Sequence, residues 1–145
     1  MKKYVGIWLD HREAFIVSLT KDHPALNFNQ EMIERIESDV ESRVRLSGGS
    51  RTRKTPYGPQ EISVDSRAEV RFKKQIRQYY SQIMLRLRDA DRILIFGPGE
   101  AKFELRKEIE RSKEFKGKIK KIEAADKMTK GQIAAKVRTF FKPHL

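Results

Sequence analysis

The 145-residue chain carries 32 Lys and Arg against 20 Asp and Glu, a net charge of +12, and it has no cysteine. That composition excludes a disulfide framework and a thiolate metal site, and so large a positive charge favours an anionic partner. The apolar run after Met1-Lys2-Lys3-Tyr4 is soon broken by Asp10, His11 and Arg12. It is too short for a membrane span or a signal-peptide core, so a cytoplasmic protein without a membrane partner is expected, built as a single module over residues 1–145.

Residues 4–10 are rich in β-branched and aromatic side chains and predict a strand. Residues 10–13 read as a turn and 14–19 as a second strand, which together make a hairpin. Neither strand alternates cleanly, so both faces of the sheet should be covered. A third strand is expected at about 26–36, where Met32, Glu34 and Ile36 give weak alternation. Residues from about 43 to 65 contain Gly48-Gly49, Pro56, Gly58 and Pro59 and predict a long basic loop. A loop of that length in a compact domain is usually functional or disordered.

Ser66 and Glu69 have capping-box spacing and predict a helix start, with the helix ending near Asp89. Phe72, Ile76, Tyr79, Tyr80, Ile83 and Leu87 fall on one stripe of it, while Arg71, Lys74, Arg77 and Gln78 lie away from that stripe. Residues 92–96, Arg-Ile-Leu-Ile-Phe, predict a buried strand. Gly97-Pro98-Gly99 predicts a sharp turn, with Glu100 opening a second helix to about Lys113. Residues 118–122 read as an edge strand carrying lysines. Thr129 and Gln132 repeat the capping-box spacing before a last helix whose inner face holds Ile133, Ala134, Val137, Phe140 and Phe141. The order predicts an α/β fold, a mixed sheet flanked by helices.

The charge is uneven. From Arg43 to Arg77 ten Lys and Arg face three Asp and Glu, whereas residues 22–41 are acidic. A clustered basic stretch is an electrostatic footprint for nucleic acid. Paired glycines at 48 and 49 permit positive φ and close approach of another chain, and the flanking cations supply phosphate contacts. The candidate RNA-binding set is therefore Arg43, Arg45, Gly48, Gly49, Ser50, Arg51, Arg53, Lys54, Arg71, Lys74 and Arg77. A solvated loop with ordinary turn glycines explains residues 43–54 equally well on composition.

The Gly97-Pro98-Gly99-Glu100 turn is a poorer phosphate site. Pro98 removes a donor and Glu100 places a negative charge where the anion would sit. His11, His23 and His144 lack metal-ligand spacing, and Asp10 reads as a turn-opening residue rather than a metal-holding carboxylate. No cofactor and no metal are expected.

The order of these motifs resembles a known family. Gly-x-Trp-Leu-Asp stands in the opening hairpin, followed by the basic Gly-Gly loop and a helix containing Arg71-Phe72-Lys73. Gly97-Pro98-Gly99-Glu100-Ala101-Lys102-Phe103-Glu104-Leu105 then follows a strand. This resembles the middle domain of the archaeal and eukaryotic class-one peptide-release factors and of Pelota, as a stand-alone bacterial-type relative. The resemblance implies a ribonuclease-H-like fold, occupancy of the ribosomal A site, and a glycine loop aimed at the peptidyl-transferase centre. Release factors place Gln third in that loop to help water attack the peptidyl-tRNA ester. Ser50 stands there in this sequence and lacks the amide, so peptide release is not implied. The family's codon-reading and factor-binding domains would come from a partner protein.

These readings point to a stand-alone module that binds ribosomal RNA or tRNA in stalled-ribosome rescue, hibernation or quality control of translation. Three alternatives stay open. One is a peptidyl-tRNA hydrolase using Gly48, Gly49 and Ser50. Another is a metal-dependent nuclease on the same fold. The last is a regulatory protein whose basic face docks an acidic protein.

Overall fold

The computed structural model describes residues 2–22, 28–39 and 58–142, with side chains in the helical stretch from residue 67 onward. Strands β1 (Lys2–Leu9), β2 (Glu13–Lys21) and β3 (Gln30–Glu37) precede helix α1 (Gly58–Leu87). Strand β4 (Arg92–Gly97), helix α2 (Ala101–Glu110), a 3₁₀ turn (Lys113–Phe115), strand β5 (Ile119–Ala124) and helix α3 (Lys130–Phe141) complete the order. The sheet runs β3-β2-β1-β4-β5, with β1, β2 and β3 antiparallel and β4 and β5 parallel to β1. The mixed α/β class expected from the sequence is what forms.

Asp10 closes the β1–β2 hairpin. Its Oδ1 accepts the N–H groups of Arg12 and Glu13 at 2.8 and 2.9 Å, which is the turn role its position suggested. The third strand begins later than expected, at Gln30. The Asn29 N–H already bonds the Thr20 carbonyl at 2.7 Å, so the chain turns back there. Residues 26 and 27 of the expected strand lie outside the described residues.

Both sheet faces are covered, as the lack of alternation implied. On one face Val5, Ile7, Leu9, Ile93 and Ile95 pack beneath the α1 stripe and beneath Leu105 and Ile109 of α2. On the other, Trp8, Val17, Leu94 and Phe96 pack against Ile133, Ala134 and Val137 of α3. Gly6 is where α3 comes closest. A Cβ there would lie 2.2 Å from Val137 Cγ2, so a side chain at this point would push α3 off the sheet. The Thr129–Gln132 capping box is formed, with Thr129 Oγ1 accepting the Gln132 N–H at 3.1 Å and Gln132 Oε1 accepting the Thr129 N–H at 2.9 Å. Thr129→Ala should lower stability by about 1 kcal/mol, measured by urea unfolding.

The start of α1 departs from expectation. It begins at Gly58, ahead of Ser66, so the predicted loop gives way to helix at 58–65 and the Ser66–Glu69 pair falls inside the helix. Gly58 and Pro59 read as loop residues in the sequence, but proline is tolerated in a first helical turn because its missing N–H has no partner there. At 30 residues α1 is about 45 Å long, whereas the eight residues of β1 span about 26 Å. The helix therefore outreaches the sheet.

On the other side of the sheet, Glu123 of β5 takes Lys136 of α3 at 2.8 Å and Lys121 at 3.0 Å. Hydrogen bonds from Lys136 and then Lys121 hold its carboxyl below the usual carboxylate range. A depressed native value means this stabilisation is present above the unfolded-state range and fades as pH falls through the native one. Glu123→Gln should accordingly flatten the acid limb of a stability–pH curve and leave the limb above neutrality unchanged.

Candidate nucleic-acid interface

The base of the overhanging helix is fixed at the C-terminal end of β1. The Tyr79 hydroxyl donates to the Asp10 carbonyl at 2.9 Å, and the Tyr80 hydroxyl donates to Glu104 Oε1 of α2 at 2.7 Å. Both tyrosines are buried, as their place on the apolar stripe of the helix suggested. Burial, reinforced for Tyr80 by the Glu104 hydrogen bond, pushes both phenols far above their ordinary range, so both remain donors. His11 Nε2 lies 3.0 Å from the same Glu104 oxygen, and its ring packs 6.4 Å from that of Phe72. The hairpin turn, α1 and α2 thus meet in one polar clasp. Tyr80→Phe should cost about 1 kcal/mol in thermal or urea unfolding, because half-exposed Glu104 can turn to water.

Beyond that clasp α1 shows its cations. Arg71, Lys74 and Arg77 are all exposed, as their phase on the helix suggested, and Arg67 and Lys73 are exposed beside them. Arg67, Arg71, Lys74 and Gln78 recur at helical spacing along the side opposite the buried stripe. None of the five cations forms an ion pair with another described residue, and Glu69 is the one acidic side chain between 67 and 78. Arg67 shares that phase, whereas Lys73 is exposed on the flank of the buried stripe. Arg67 escapes a reading that starts the helix at Ser66, one residue before it.

The other candidates stand differently. Arg43, Arg45, Gly48, Gly49, Ser50, Arg51, Arg53 and Lys54 all lie outside the described residues. The Gly97-Pro98-Gly99 turn serves packing. Gly97 has φ 149° and a Cβ there would stand 2.1 Å from the Leu9 carbonyl oxygen. Gly99 has φ 64°, and the Lys102 ammonium folds back to donate to its carbonyl. Lys102 is only 4% exposed, and its ammonium lies 4.6 Å from the centre of the Phe103 ring. Lys21 is similarly enclosed, with its ammonium 4.8 Å from the Phe28 ring centre. Neither lysine faces outward to meet a polyanion. Among the described residues no three His, Asp or Glu gather within reach of a common metal ion, and no helix is long and apolar enough to cross a membrane.

The arrangement defines a mixed α/β protein presenting a row of cations, without ion pairs among the described residues, on a helix longer than its sheet. No family model matches the chain, and no curated protein sequence does. Among solved structures it is similar to the Thermoplasma acidophilum Pelota protein, with 18% identity and a TM-score of 0.48, over 90% of this chain and 30% of that one. It is also similar to the archaeal translation termination factor aRF1, with 16% identity and a TM-score of 0.38, over 93% of this chain and 33% of that one. This chain thus spans about a third of the length of each. Similarity at such identity is one of fold and assigns no activity.

Proposed function

We propose that the chain is an RNA-binding module that acts in translation, engaging ribosomal RNA or tRNA through the outward side of α1. The observation that carries this reading is the row of Arg67, Arg71, Lys74 and Arg77, exposed and without ion pairs among the described residues, on a helix that projects past the sheet. Cations already paired with carboxylates must give up one partner to gain another, whereas these have no such partner among the described residues to give up. The adjoining sequence adds Arg43, Arg45, Arg51, Arg53 and Lys54, and Gly48 and Gly49 allow a backbone to approach RNA closely. The motif order, which resembles that of release-factor and Pelota middle domains, favours a ribosomal RNA or tRNA over other polyanions. With Ser50 at the third loop position, binding rather than ester hydrolysis is the activity proposed. A role in rescue of stalled ribosomes, in hibernation or in quality control fits a module that binds without cleaving.

Co-sedimentation with ribosomes through sucrose gradients across a salt series tests this. The protein should travel with a ribosomal fraction at low salt and leave it as salt rises, with crosslinks from α1 to RNA. Absence from every ribosomal fraction at low salt, with no RNA retained through purification, would overturn the reading in favour of an acidic protein partner.

A further inference from the structure

The three parallel strands start at one end of the sheet, and cations gather there too. Register sets Tyr4 beside Arg92 and Ile93 beside Ile119, which brings Lys2, Arg92 and Lys118 to neighbouring strand starts. The turn after α2 delivers Lys113 and Lys116 to this end, where the Lys118 carbonyl accepts the Ile93 N–H at 2.8 Å. Asp22, just past the end of β2, and Glu31, at the start of β3, also lie at this end, and the carboxylates here are already engaged: Asp22 accepts the Asn29 side-chain amide at 2.7 Å and Glu31 pairs with Arg138 at 2.7 Å. Asp89 takes Lys3 Nζ at 2.8 Å, Asp91 accepts the Lys3 backbone N–H at 2.9 Å, and Glu114 faces Arg88 at 3.8 Å. Lys3 holds the Asp89 carboxyl below its ordinary range, and the Lys118 charge adds to that effect across the strand starts. Lys2, Arg92, Lys113 and Lys116 are left exposed, with no ion pair among the described residues.

This end lies away from the outward cations of α1. From Arg77 to Leu87 the helix covers about 15 Å and from Arg71 about 24 Å, and Leu87 leads directly into Asp91, whose N–H bonds Lys3. That separation is about two to three Debye lengths at physiological salt, so each basic surface is largely screened from the other. We propose that the strand-start end of the sheet is a second phosphate-binding surface, through which one molecule holds two separate RNA segments at once. This rests on the reading that α1 itself binds RNA.

A bridging assay tests it, with a short RNA hairpin immobilised on beads and a fluorescent copy free in solution. The wild-type protein should capture the fluorescent hairpin on the beads. The variant Lys2→Gln, Arg92→Gln, Lys113→Gln, Lys116→Gln should still bind the immobilised hairpin and fall about tenfold in capture of the second. All four side chains are exposed, so its melting temperature should match wild type. The milder pair Lys2→Gln, Lys116→Gln should shift capture in the same direction. Undiminished capture by the quadruple variant would overturn the proposal, and is also the result a dimer with one site per subunit would give. Binding without any second capture by wild type overturns it while leaving the α1 reading intact. The α1 reading fails separately if Arg71→Gln, Lys74→Gln, Arg77→Gln still bridges, and no RNA binding by wild type sinks both.

Discussion

Replacing Arg71, Lys74 and Arg77 together by Gln should reduce the slope of log K against log salt for structured RNA by about 2–3, near 0.9 for each phosphate no longer neutralised. Affinity at physiological salt should fall roughly tenfold to hundredfold, with little dependence on RNA sequence, because cations on phosphates give affinity without reading bases. Fluorescence anisotropy over a salt series measures both quantities. The three side chains are exposed and unpaired among the described residues, so folding should be unaffected and the weaker binding can be assigned to the cations themselves. An unchanged slope would remove α1 from the interface.

The second large effect concerns stability. Gly97→Ala should destabilise the protein by about 3 kcal/mol or more, a fall of roughly 10 °C in Tm. Two independent causes act together at this residue. Its φ of 149° is a conformation that side chains rarely adopt, and the new methyl would meet the backbone carbonyl oxygen of Leu9 at 2.1 Å. A side chain can rotate away from such a clash, but the backbone carbonyl that ends the central strand cannot move without shifting the strand and its hairpin turn. Gly99→Ala is the matched control. Its φ of 64° also disfavours a side chain, yet nothing lies within 4 Å of the added methyl, so its cost should be near 1 kcal/mol. Equal destabilisation in the two variants would show that the close approach at Leu9 is not what demands glycine.

Much of the architecture was legible because it is written in local signals. The β-branched run before Asp10, the apolar 93–96 strand and the Thr129–Gln132 capping box each declare themselves within a few residues. The β1–β2 hairpin followed from its turn residues, and the lysines of β5 from its place at the sheet edge, where charge discourages further pairing. The start of α1 was not legible, because Gly58-Pro59 signals a loop in isolation and only the finished helix shows the proline to be harmless. Contacts between distant parts of the chain were also hidden. Nothing local in the sequence relates His11 and Tyr80 to Glu104, yet all three share one polar clasp. Lysines are normally exposed, so the burial of Lys21 and Lys102 against aromatic rings has no local mark. At the candidate interface, helical phase correctly turned Arg71, Lys74 and Arg77 outward, while the residue types alone gave no view of the second cluster. That cluster exists only because parallel strands begin side by side next to the turn after α2.

The unequal support along α1 has a kinetic consequence. Ile76, Tyr79, Tyr80, Ile83 and Leu87 lock its second half into the core, whereas residues 67, 69, 70 and 71 are exposed and even Val70 stays 65% open to water. Backbone amides near Ile83 should therefore exchange with deuterium only through global unfolding, while those near Val70 exchange through local opening several orders of magnitude faster. A polyanion laid along the outer side of the helix would slow that faster exchange and leave the slow set almost untouched.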